Sequence, residues 1–123
     1  MATLNDRVFD NGLTVLDTEG SRIDVTSQEA TSYTSATSTH TLGNSTSLSI
    51  GAPADRSGGG REVTVAAISD GSITGTGTAT FYAISDVSNT RLLATGALSA
   101  SQSVTSGNTF TLASFTIGIP DPS

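Results

Sequence analysis

Thr78-Ala79-Thr80-Phe81-Tyr82-Ala83-Ile84-Ser85-Asp86 decides the fold class. It is rich in threonine, aromatic and β-branched residues, it carries no helical apolar spacing, and it reads as one extended strand. Working outward, a loop at Val87 to Thr90 leads into Arg91-Leu92-Leu93-Ala94-Thr95 and then Ala97-Leu98. Ser106-Gly107-Asn108 is a turn signal before Thr109-Phe110-Thr111-Leu112, and Ser114-Phe115-Thr116-Ile117-Gly118-Ile119 closes the run before Pro120-Asp121-Pro122 forbids a further strand. Upstream, Arg61-Glu62-Val63-Thr64-Val65-Ala66-Ala67-Ile68 reads as a single strand ended by an Asp70-Gly71 turn. Gly75-Thr76-Gly77 lacks the third glycine and following helix of a dinucleotide site, and reads as a bulge or turn. Turn signals every ~8–12 residues between short strands are the mark of an antiparallel arrangement. The expected class is all-β, an antiparallel β-sandwich or jelly-roll-like barrel with an N-terminal hairpin or arm.

The first sixty residues are less regular. Val8-Phe9 and Leu13-Thr14-Val15-Leu16 flank Asp10-Asn11-Gly12, and Asn-Gly between apolar runs signals a type I′ hairpin. Residues 1–20 are therefore expected to form an N-terminal hairpin or arm, and residues 21–123 a single β domain with an exposed loop at 51–60. Arg22-Ile23-Asp24-Val25-Thr26 alternates cleanly and reads as a half-buried strand. The stretch from Ala30 to Ile50 is nearly low in complexity; its alternatives are short strands, as in Ser47-Leu48-Ser49-Ile50, or a disordered tether over Thr31 to Asn44.

Composition narrows the function. The chain has 123 residues and a formal net charge of −6, and its five cations are all arginines. An acidic chain without lysine is a poor match for a phosphate backbone or an anionic membrane surface, so neither nucleic acid nor membrane is an expected partner. Forty residues are serine or threonine, while Leu, Ile, Val and Phe together number 27, which predicts a thin core of small side chains. Residues 1–12 lack the basic start and long apolar run of a secretory signal, and without cysteine there is neither a disulfide framework nor a thiolate nucleophile.

The search for chemistry finds little. His40 is the single histidine, and it lies among serines and threonines where a hydrogen-bonded surface role is expected. No nucleophile elbow, P-loop, zinc helix or EF-hand loop is present. Asp17, Glu19 and Asp24 could supply oxygen ligands to calcium, but their spacing matches no defined loop. The six aromatics, Phe9, Tyr33, Phe81, Tyr82, Phe110 and Phe115, read as core. The expectation is a non-enzyme with no cofactor and no metal.

The run Gly-Thr-Ala-Thr-Phe-Tyr-Ala-Ile-Ser-Asp (77–86), then Arg-Leu-Leu-Ala-Thr-Gly-Ala-Leu-Ser (91–99), then Gln-Ser-Val-Thr-Ser-Gly-Asn-Thr-Phe-Thr-Leu (102–112) with a closing Phe-Thr-Ile resembles small structural proteins of tailed bacteriophages and prophages. That resemblance covers about half the chain, Arg61 to Ile119. It implies a capsid decoration or minor capsid protein on the virion exterior, made in the bacterial host cytoplasm. The implied partners are the major capsid protein and further copies of itself in a homotrimer. On that reading the docking elements are the apolar N-terminal residues Leu4, Val8, Phe9 and Leu13 and the C-terminal Pro120 and Pro122. The alternative within the same family is a tail-fibre, tail-tip or head-spike module that binds a host surface.

Overall fold

Ile23 and Val25 alternate with Arg22, Asp24 and Thr26, and the five residues form strand β1 (Arg22–Thr26). This computed structural model describes residues 6–119, with the side chains of residues 6–10 and Ser99 outside the description. After β1 come β2 (Thr41–Ser45), β3 (Ala54–Asp55), β4 (Arg61–Val65) and β5 (Ile68–Ile73). They are followed by β6 (Gly77–Asp86), β7 (Arg91–Val104), β8 (Thr109–Leu112) and β9 (Phe115–Ile119). Six strands form one sheet in the order β7-β6-β1-β2-β5-β8, and three form a second in the order β3-β4-β9. Every pairing is antiparallel. The expected all-β antiparallel class is what the chain adopts.

β1 sits between β6 and β2, with Asp24 opposite Ala83 on one side and Asn44 on the other. Ile23, Val25 and Ile84 face a core shared with Val63 and Val65 of β4, so the two sheets bury their apolar faces together. β4 passes to β5 through Ala66-Ala67 alone, where the chain leaves one sheet for the other. This corrects the single strand expected over Arg61 to Ile68. The Asp70-Gly71 turn is also absent: β5 runs through both residues with an irregular register between Ile68 and Gly71. Gly71 is needed for packing instead, because the ring of Phe110 occupies the space a Cβ would take.

The N-terminal hairpin is overturned. Asp6–Glu19 is an α-helix, α1, and Asn11-Gly12 lies in its middle. The spacing Phe9, Leu13, Leu16 is i, i+4, i+7, the stripe of a helix, and it outweighs the local turn preference of Asn-Gly. Leu13 and Leu16 are 2% and 8% exposed and belong to the main core. Their burial contributes roughly 1.5–3 kcal/mol each. After α1, the Gly20 amide bonds back to the Leu16 carbonyl at 3.1 Å.

Thr31 to Asn44, where a disordered tether is one alternative, folds instead: its last residues belong to β2, and residues 27–40 cover the opposite face of the large sheet. Ala30 and Ala36 pack on Ala83, with Leu92 at the margin. A single wide helical turn over Ser35–Thr39 closes with the His40 amide donating to the Ser35 carbonyl at 2.9 Å. The hydroxyls hold this cover locally: Ser35 Oγ accepts from the amides of Thr31 and Ser32, each at 2.9 Å, and Thr37 Oγ1 donates to the Tyr33 carbonyl at 2.9 Å. Short side chains that bond to nearby backbone replace the apolar contacts the segment lacks. Of the expected strand at Ser47 to Ile50, only an isolated bridge from Ile50 to Val65 forms. The exposed loop at 51–60 contains the short strand β3 paired with β4, and Gly58, Gly59 and Gly60 turn the chain with φ of 90°, 107° and 93°.

Candidate functional site

The outer strands of the large sheet, β7 and β8, are consecutive in sequence, joined by a tight turn in which Gly107 takes φ of 92°. They do not pair as a ladder. What spans them is a side-chain bond from Gln102 Nε2 to the Thr111 carbonyl, 3.3 Å. The two edge strands of the large sheet thus meet along an open seam.

A distortion in β7 widens that seam. Ala79 faces Gln102 and Phe81 faces Ala97, so residues 98–101 all stand against Thr80. Chain in excess of the ladder must leave it, which is how bulges reshape a sheet edge. Just before the bulge, Gly96 lies beneath the ring of Tyr82, whose atoms would stand 2.6 Å from any Cβ there. Tyr82 packs in turn on Phe115 at the start of β9, ring centroids 4.6 Å apart and tilted by 45°.

The result is a groove of about 580 Å³ along the seam, walled by Gly96, Leu98 and Gln102 on one side and by Thr111 and Phe115 on the other, with Tyr82 inside. None of its lining residues is charged. Burial pushes the Tyr82 phenol above its ordinary 10.0. A neutral groove of this size suits uncharged groups with an apolar face. Sequence reading took Tyr82 and Phe115 as core. The one available signal was Gly96, since a glycine inside a strand often marks a bulge or a close approach of another group.

The candidates singled out from sequence lie elsewhere. Asp24 is fully buried and is held by Arg22, Nε to Oδ1 at 2.8 Å and Nη2 to Oδ2 at 2.9 Å. Thr41 Oγ1 adds a third bond at 2.7 Å. The same carboxylate raises the Arg22 guanidinium above its ordinary value through that hydrogen bond, against the opposing effect of burial. Asp24 therefore anchors the sheet. Glu19, at the end of α1, lies 3.7 Å from Arg91, while Asp24 is bound to Arg22 and Thr41. Among the described residues no group of three or more His, Asp or Glu is placed to hold a metal ion. His40 Nδ1 lies 2.8 Å from Gln28 Nε2. Asp86, at the β6–β7 turn, sits below its ordinary 3.8 because Asn89 donates to it, Nδ2 to Oδ2 at 2.7 Å.

Of the expected docking residues, Leu13 is inside the protein's own core. Val8 and Phe9 fall within α1, their side chains outside the described part, and Leu4, Pro120 and Pro122 lie outside the described residues. No helix among the described residues is long and apolar enough to cross a membrane. Comparison of the chain with protein-family models, with curated proteins and with solved structures finds no match in any of the three.

Proposed function

We infer that the protein is a structural component of a tailed-bacteriophage virion, a decoration or minor capsid protein that binds the major capsid protein on the outer surface of the shell. The observation that carries this reading is the run from Gly77 to Ile119. Its three motifs are those of the phage structural proteins it resembles, and in this chain they are the strands β6 to β9 that build the open seam. A neutral groove beside unpaired strand edges suits attachment to another protein surface, where main-chain bonds and a side-chain pocket act together. Binding to a lattice also favours the folded state by mass action, which suits a core containing so many alanines and hydroxyls. In this role the protein carries out no reaction and needs no cofactor.

The test is co-sedimentation of the purified chain with capsids that lack it. Saturation at a stoichiometry set by the lattice, with particles that resist heat better, is the expected result. Failure to bind shells, combined with binding to tails or host cells, would replace this reading with that of a host-binding fibre or spike module.

A further inference from the structure

We propose that two copies of this chain pair through strand β9, antiparallel and about a two-fold axis at Ile117, joining their three-stranded sheets into one. β9 is an outer strand, bonded on one side to β4 and on the other to nothing described. Its free groups are identified by the bonds β4 makes elsewhere. The Thr64 carbonyl accepts from the Gly51 amide at 3.0 Å, and the Ala66 amide donates to the Ser49 carbonyl at 2.9 Å. Alternate residues of a strand bond to opposite sides, so Arg61, Val63 and Val65 turn their amides and carbonyls toward β9. Their partners are Ile119, Ile117 and Phe115. The backbone groups of Thr116 and Gly118 therefore point outward.

Two outward residues separated by one inward residue form a self-complementary edge. In an antiparallel pair centred on Ile117, Thr116 of one copy faces Gly118 of the other, and each such pair exchanges two hydrogen bonds. The arrangement is isologous, as a two-fold contact requires. Its register also sets Ile119 of one copy opposite Phe115 of the other, on the same face of the joined sheet.

Side chains match in the same register. Ile119, at 37% exposed, is one of two large apolar residues exposed among those described, the other being Val87 on the β6–β7 turn. Phe115 lines the neutral groove. Each copy thus offers an apolar plug at one end of β9 and an uncharged recess at the other. Phe115-Thr116-Ile117-Gly118-Ile119 carries no charge and the charged side chain lying against Gly118 is a cation, Arg56, so two copies with net charge −6 can meet there without β9 bringing carboxylates together. An uncharged recess set in register opposite the apolar Ile119 suits a second copy of this strand better than a charged partner. The contact stands independently of the virion reading, and it is two-fold where the resemblance implies a trimer.

Sedimentation of the full chain tests the stoichiometry, and a single cysteine tests the register. The protein has no cysteine of its own. Ile117→Cys places two sulfurs across the axis, where opposed residues of a non-bonded antiparallel pair have Cα atoms about 4.5 Å apart, within disulfide reach. The expected results are a concentration-dependent dimer, a covalent dimer of Ile117→Cys under oxidation, and none for the control Thr64→Cys on β4. Thr116→Pro removes an outward amide and leaves the bonds to β4 intact, so circular dichroism should stay unchanged while association weakens about tenfold or more. Ile119→Asp, which brings a charge to the recess, should weaken association as well. A monomer at every concentration, a trimer, or a dimer that Ile117→Cys fails to cross-link would overturn the proposal.

Discussion

Thr90 takes φ of 48° in the turn between β6 and β7, a left-handed conformation that β-branched residues rarely adopt. The turn holds it there through the Thr90 amide on the Val87 carbonyl, 3.3 Å, and through Asn89 bound to Asp86. Thr90→Gly should therefore raise stability by about 1 kcal/mol, read as a higher midpoint in urea with an unchanged slope. Arg22 has the opposite character. Its removal leaves the Asp24 carboxylate buried with only the Thr41 hydroxyl as described side-chain partner. Arg22→Ala should lower stability by about 3 kcal/mol, the order expected when one member of a buried ion pair is lost. An urea midpoint within error of the parent would show that water reaches Asp24.

Helix α1 and the cover over residues 27–40 show where sequence was legible and where it was not. β6, β8 and β9 could be read because they are filled with residues that favour extended chain, whereas β7 was legible only from Arg91 to Leu98, since Gly96 and the serines and alanine beyond Leu98 hide its continuation to Val104. β1 was legible for its strict alternation. The helix was missed because Asn11-Gly12 is a strong local signal, while the Leu13–Leu16 stripe acquires its meaning only from the β4 surface beneath it. The break at Ala66-Ala67 carried no glycine or proline to mark it. The groove was invisible for a related reason: a bulge depends on register between strands, which no single strand encodes. Gly12 gives the helix a direct test. Among the described residues a Cβ there would meet only Ile119 Cδ1, at an ordinary 3.9 Å, and the residue is exposed. Gly12→Ala should stabilise the protein by about 0.5–1 kcal/mol, through helix propensity. A loss of that size would instead restore a turn at Asn11-Gly12.

At the scale of the whole molecule, charge and topology set the behaviour. Two copies of a chain with net charge −6 repel each other, and strand β9 itself carries no charge to offset this, the nearest being the single Arg56 side chain that lies against Gly118. Raising salt from roughly 0.02 to 0.5 M shortens the Debye length from about 20 Å to about 4 Å and should tighten association, whereas a contact built on ion pairs would loosen. A sedimentation series across that range reads the sign. The order of strands has a different consequence. β1 is the centre of the large sheet, yet one of its two neighbours, β2, follows soon after it while the other, β6, arrives only once residue 86 has been made. A ribosome therefore releases the middle of the sheet long before the strand that completes it. Until then one edge of β1 stays open, with Ile23 and Val25 lacking the Ile84 they share a core with. Contacts so distant along the chain make folding slow and late, so the nascent protein spends most of its synthesis exposed to any other chain that offers a matching strand.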